Sequence, residues 1–233
     1  EDKPRFEWRA FMLDESRYFK GMAQVKLLLD EMARLKMNIF HWHLVDDQGW
    51  RIEIKKYPLL TKVGSHRKST QVGEKKWKSN KQSGQPHSGY YTQAQIKEIV
   101  NYAAQRLITI VPEIEMPGHS SAAVAAYPWL GTENKQIEVP VKFGRFYDIY
   151  DVTNPRVTIF IEDVLQEVFS LFPSKVIHIG GDEVSYDAWT KSSKVKTYME
   201  KNNLKTYADL QVHFTNGISR FIEKKDRRMM GWN

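Results

Sequence analysis

Five short apolar runs, at residues 9–13, 38–44, 108–114, 176–179 and 229–232, alternate along this chain with stretches whose apolar residues recur every three or four positions. This alternation constrains the fold more than any other feature, because strand–helix–strand repeats give parallel strands joined by right-handed crossovers. Four helices are expected between them. Val25, Leu28, Leu29, Met32 and Leu35 make one apolar face, and Ile96, Ile99, Val100, Ala103 and Leu107 a second, opened by a Thr92/Gln95 capping box. Val157, Ile161, Val164, Leu165 and Val168 make a third behind Asn154 and Pro155, and Leu210, Phe214, Ile218 and Phe221 a fourth entered at Thr206.

Two α/β architectures fit: an open doubly wound sheet and a closed (β/α)8 barrel of the TIM type. The first usually carries a glycine-rich phosphate turn after its first strand, and Met12-Leu13-Asp14-Glu15-Ser16-Arg17 has no glycine. The barrel instead gathers reactive side chains at the C-terminal ends of several strands. Each expected strand here ends that way: Asp14 and Arg17, His43 and Asp46, Glu115 and His119, Asp182 and Glu183, and Trp232. The barrel is therefore the expectation. A full one needs eight strands and typically about 250 residues; residues 1–233 hold about the first five β/α units, as one partial barrel. Its open edge would expose strand hydrogen-bonding groups and apolar surface, a route to self-association.

The densest chemistry lies in His178-Ile179-Gly180-Gly181-Asp182-Glu183. A strand that ends on two glycines and two carboxylates is poorly suited to packing, since a buried carboxylate is costly unless paired or neutral. Adjacent residues on an extended strand face opposite ways, so Asp182 and Glu183 are not two equivalent carboxylates across one bond unless the strand has turned. That is awkward for a nucleophile and acid about 5 Å apart, and it fits better if the nucleophile comes from the substrate. A metal-dependent hydrolase is the competing chemistry, with His41, His43, His119, His178 and Asp182 as conceivable zinc ligands. Neither a HExxH helix nor cysteines support it, and two histidines one residue apart on a strand also suit a packed layer.

With no cysteine, disulfides and thiolate chemistry are excluded. The net charge of +7 gathers partly in 62–81, which includes Lys75 and Lys76, and partly in 191–228. Without a recognisable motif these read as solvated faces, and no nucleic-acid partner is expected. No apolar run is long enough to span a membrane. The chain opens on Glu1 rather than Met, suggesting a processed start.

Four segments carry a resemblance. Phe11-Met12-Leu13-Asp14-Glu15-Ser16-Arg17-Tyr18-Phe19, Phe40-His41-Trp42-His43-Leu44-Val45-Asp46-Asp47-Gln48-Gly49-Trp50-Arg51, Val111-Pro112-Glu113-Ile114-Glu115-Met116-Pro117-Gly118-His119 and the 178–183 segment resemble, in order, the catalytic domain of glycoside hydrolase family 20, the β-N-acetylhexosaminidases. The resemblance runs from about Arg9 to Trp232. It implies removal of terminal β-linked N-acetylhexosamine (GlcNAc or GalNAc) from glycans by a retaining, substrate-assisted mechanism through an oxazolinium, needing no cofactor or metal. It makes Glu183 the general acid and then base, and Asp182 the group that holds the acetamido N–H. His119 and Asp46 resemble the family's supporting pair, Arg17 its hydroxyl-binding arginine, and Trp232 a wall of the acetamido pocket. His43 and Glu115 are expected beside the substrate, and an exported location is a family-level expectation.

Plainer roles compete. Arg17 could pair with Glu15, His119 could cap a helix, Asp46 could serve a turn beside Asp47, and Trp232 could pack. Asp14, Trp42 and Trp50 read as structural. The chain also departs from the pattern. Glu115 stands where the family commonly has aspartate, and the basic 65–88 loop looks longer than the match requires. The family's later strands, with a tyrosine, further tryptophans and an acidic residue of the pocket, have no counterpart, nor does the domain that usually precedes the barrel. Weak or no turnover is expected of this chain alone, and an incompetent sugar-binding or scaffold remnant is the alternative.

Overall fold

The computed structural model describes residues 3–73, 78–144, 146 and 148–232; Lys75, Lys76 and Asn233 lie outside the described residues. In chain order the elements run β1 (Ala10–Asp14), α1 (Met22–Arg34), β2 (Ile39–His43), then a tight hairpin β3 (Val45–Asp46) and β4 (Gly49–Trp50). Next come α2 (Leu59–Lys62), a second small hairpin β5 (His66–Arg67) and β6 (His87–Ser88), α3 (Gln93–Ala104), β7 (Thr109–Glu113), α4 (Ser121–Ala126) and α5 (Pro155–Leu171). The chain continues through β8 (Val176–His178), α6 (Asp187–Lys191), α7 (Ser193–Lys201), α8 (Tyr207–Glu223) and β9 (Arg228–Met230).

Strands β1, β2, β7, β8 and β9 form one parallel sheet in chain order. A doubly wound sheet reverses its order at a switch point. This one never does, which is the winding of a barrel wall. All five expected strands are present within a residue or two of the expected bounds. Pro112 shapes the middle of the sheet. Ile114 N–H donates to the His178 carbonyl, and two residues earlier Pro112 has no N–H to offer β8, so the β7–β8 ladder narrows to Glu113 opposite His178. The Ser174 hydroxyl donates to the Val176 carbonyl instead, at 2.8 Å.

The helices start where side chains can cap them. Thr92 and Gln95 form the expected capping box, Asn154 accepts from Arg156 N–H ahead of Pro155, and Thr206 forms a second box with Asp209. Apolar faces of α1, α3, α5 and α8 bury Val25, Leu29, Ile96, Ile99, Val164, Leu165, Leu210 and Ile218. Two expected core residues are corrected. Leu35 and Leu107 are 70% and 87% exposed, because α1 ends at Arg34 and α3 at Ala104, and Leu107 has entered the left-handed region at φ 58°. Helix α4 was not legible in the pattern, since all six residues of Ser121–Ala126 are buried and a helix covered all round has no amphipathic period.

Among the described residues the outermost strands β1 and β9 each pair on one side only. Phe11, Met12, Met230 and Trp232 beside those edges are exposed. No helix is long and apolar enough to cross a membrane among the described residues.

Candidate active site

In-register parallel pairing puts one row of side chains across the sheet: Asp14 opposite His43, His43 opposite Glu113, Glu113 opposite His178 and His178 opposite Met230. Alternation then sends His41 and His43 to the same face. Both rings meet the Glu113 carboxylate, His41 Nε2 at 2.7 Å and His43 Nδ1 at 2.6 Å. Trp232 closes the row, its ring tilted by 56° against His178 at 4.5 Å between centroids and its indole N–H donating to Glu113 at 2.8 Å.

The hairpin β3–β4 turns Asp46 and Asp47 back over this row and divides their work. Asp46 faces the basic groups: Arg17 Nη2 at 2.7 Å, His43 Nε2 at 2.9 Å and His119 Nδ1 at 3.2 Å. Asp47 reaches His119 Nδ1 at 3.1 Å with one oxygen, and with the other accepts from the Ser121 N–H and hydroxyl where α4 begins. Arg17 is further held by Asp14 at 3.0 Å and by the Gln48 side chain at 3.0 Å. It does not pair with Glu15, which is buried beneath Trp42 and Tyr91 and accepts from both. His119 caps no helix; its Nε2 points instead at Glu183 and Asp182, 3.6 and 3.8 Å away.

The strand does turn before those two carboxylates. Gly180 and Gly181 have φ of 66° and 101°, and Glu183 itself has φ 48°. Asp182 and Glu183 therefore both approach His119, where an extended strand would have separated them. The Gln211 side chain ties the turn from α8 through the Gly181 carbonyl at 2.8 Å, and Glu115 accepts the Gly181 N–H at 3.2 Å. A Cβ on Gly180 would lie 1.6 Å from Glu115 Oε2. Gly180→Ala should thus cost about 1–3 kcal/mol, read as a lower melting temperature, and should drive Glu115 or the turn from its place. Asp182 Oδ1 is buried with no hydrogen-bond partner among the described residues.

Two expected substrate contacts sit deeper than expected. His43 and Glu115 are 2% and 1% exposed. His43 has a carboxylate at each ring nitrogen, so it lies beneath Arg17 and Asp46 and supports them. Glu115 backs the Gly180–Gly181 turn, and its extra methylene relative to aspartate is what carries it against Gly180.

Burial alone would lower the pKa of His43, but hydrogen bonds to Asp46 and Glu113 push it up to about 10. His119 also resists its burial and is pushed up to about 11 by Asp46 and Asp47. Burial works against ionised Asp46 and Glu113 as well. Their histidine partners outweigh it and hold both below the ordinary carboxylate range. Glu115 goes the other way, raised by burial and then by nearby Glu113. The linkage follows in sign. The raised histidines add stability that is fully present below an unfolded value of about 6.5 and is lost as pH climbs through about 10 and 11. The lowered carboxylates add stability that is lost as pH falls below their unfolded values of roughly 4. The urea midpoint should accordingly be highest near about pH 5–6.5 and fall clearly by about pH 10.

Several groups of histidine and carboxylate, such as His41, Glu113 and His178, bring donor atoms within 4.8 Å of one another. His41 Nε2 and both ring nitrogens of His43 face carboxylate oxygens at hydrogen-bond distance, and a nitrogen that donates a proton has no lone pair for a metal. His178 Nδ1 instead accepts the Gly180 N–H at 3.0 Å.

A family model for the catalytic domain of glycosyl hydrolase family 20 matches residues 6–233. The chain belongs to this family. A beta-hexosaminidase of Porphyromonas gingivalis is 43% identical over all of this chain and 28% of its own length. The crystal structure of a beta-N-acetylhexosaminidase from Bacteroides fragilis matches with a TM-score of 0.83 at 40% identity, over 98% of this chain and 42% of that one. A family 20 exo beta-N-acetylglucosaminidase from Vibrio harveyi, solved in complex with N-acetylglucosamine, matches with a TM-score of 0.85 at 37% identity, over 100% of this chain and 36% of that one. The chain thus spans under half the length of these relatives.

Within this family 20 domain, three residues make contacts that the sequence reading did not specify. Asp14 does not merely pack but clamps Arg17. Asp47 shares His119 with Asp46. Glu113 joins β2, β7 and the Trp232 segment. Glu113 left one legible sign, a carboxylate inside an apolar strand at a position that parallel pairing sets beside an HxH strand. Trp42 and Trp50 are structural as expected, fully buried with indole N–H groups donating to Glu15 and to the Ile52 carbonyl.

Proposed function

We propose that this chain carries the terminal-sugar site of a retaining, substrate-assisted β-N-acetylhexosaminidase acting on N-acetylhexosamine-ended glycans. The observation that carries the reading is the turn at Asp182 and Glu183. Asp182, its side chain 32% exposed, has one oxygen with no hydrogen-bond donor among the described residues, leaving it an acceptor to spare for an acetamido N–H, while Glu183 stands beside it, 59% exposed and open to a leaving oxygen.

In the first step the acetamido oxygen attacks the anomeric carbon, the glycosidic C–O bond breaks, and Glu183 gives its proton to the departing oxygen. Asp182 accepts the acetamido N–H and offsets the positive charge growing on the oxazolinium. In the second step water attacks the anomeric carbon from the vacated face, Glu183 takes a proton from it, and the ring opens with net retention. Arg17, oriented by Asp14, Asp46 and Gln48 and still partly exposed, offers its fork of donors to the sugar hydroxyls. Trp232 lines the acetamide side.

The test compares hydrolysis of an aryl 2-acetamido-2-deoxy-β-glucoside with the same glycoside lacking the acetyl group. Cleavage of the first alone supports participation by the acetamide, and equal cleavage of both sinks it.

A further inference from the structure

Glu113 is fully buried, and each of its oxygens is in use. Oε2 accepts from His41 Nε2 at 2.7 Å and from His43 Nδ1 at 2.6 Å. Oε1 accepts from Trp232 Nε1 at 2.8 Å and lies 3.0 Å from His178 Nδ1. Charge then alternates outward. Glu113 holds one nitrogen of His43, the other nitrogen meets Asp46 at 2.9 Å, and Asp46 meets Arg17 and His119, whose far nitrogen faces Glu183.

We propose that Glu113 is a positioning residue for the reaction: one buried carboxylate that fixes the Trp232 ring and, through a doubly protonated His43, the Asp46 support of His119 and Arg17. This rests on the reading above, in which Trp232, His119 and Arg17 serve the sugar site. The two arms leave from different oxygens of the same carboxylate. A neutral amide has one acceptor oxygen and presents an NH2 at the other position, so Glu113→Gln must set donor against donor on one arm. The groups facing His43 are Glu113 from β7, Asp46 from β3 and Arg17 from the loop after β1, with Nη1 at 3.3 Å from Nε2. The Glu115 carboxylate lies within 4.8 Å.

The experiment is nitrogen-15 NMR of the histidine rings and the Trp232 indole at about pH 8.5, roughly two units above an unperturbed imidazole. In the unaltered chain His43 should carry protons on both ring nitrogens, and the Trp232 N–H should resonate as a hydrogen-bonded indole. In Glu113→Gln at least one signature should be lost, with kcat/KM on the acetamido glycoside down by about 100-fold. A neutral His43 in the unaltered chain overturns the proposal, as does a folded Glu113→Gln protein in which both signals are unchanged. If that variant does not fold, the unaltered chain's two signals decide. Should the unaltered chain cleave no glycoside, the hydrolase reading fails by itself, and the NMR signals still judge the role of Glu113.

Discussion

Glu183→Gln is expected to lower kcat/KM by about 10²–10⁴-fold, the range for losing a positioned general acid and base. The variant should still bind the sugar, because the Glu183 carboxylate makes no side-chain hydrogen bond among the described residues and lies 3.6 Å from His119 Nε2. The loss should depend on the leaving group. An acidic phenol departs with little help from a proton, whereas a sugar hydroxyl needs one, so the variant should be hurt more on a disaccharide than on a nitrophenyl glycoside. Steady-state kinetics on the two substrates reads the difference. Equal losses on both would mean that Glu183 does not protonate the leaving oxygen.

Arg51→Met is expected to be the most damaging single change to stability outside the site. Arg51 is fully buried and donates only to carbonyls: Nη1 to Ser65 at 2.7 Å and Gly89 at 3.0 Å, and Nη2 to Ser16 at 2.8 Å. Burial, and then the neighbouring Arg67, push it down to about 9, yet it keeps its proton at neutral pH. Methionine fills similar space and supplies no donor, leaving several buried carbonyls without one. The cost should be about 3–5 kcal/mol. At about 2–4 °C per kcal/mol for a chain of this size, that is a fall of roughly 6–20 °C in Tm, measurable by scanning calorimetry. Because Arg51 joins the end of β1 to both ends of the 65–88 loop, Arg17 should lose its fixed place as well. An unchanged melt would show that these carbonyls do not depend on the guanidinium.

The sheet was legible because its signals are local. A β-type run betrays itself within five residues, and the caps at Thr92, Asn154 and Thr206 within four. Chain-order alternation then left few topologies, and parallel winding sends every strand's C-terminal end to one face. That is why Arg17, Asp46, His119, Asp182 and Trp232 could be expected together before any contact was known. Helix α4 was illegible for the opposite reason, as burial on all sides erased its period.

The sequence alone determined the parallel α/β winding, the face that bears the site and the residue types that meet there. Only the tertiary structure decided their order in depth: His43 and Glu115 beneath the surface, Asp46 turned to Arg17 and Asp47 to α4, Glu113 at the centre, and Asp182 and Glu183 brought to one side. The physical reason is separation along the chain. His119 and Asp46, or Glu113 and Trp232, are joined by side chains about 3 Å apart but lie 73 and 119 residues apart in sequence. Strand register and the return of the chain at the strand ends set those distances, and no pattern within a few residues encodes them.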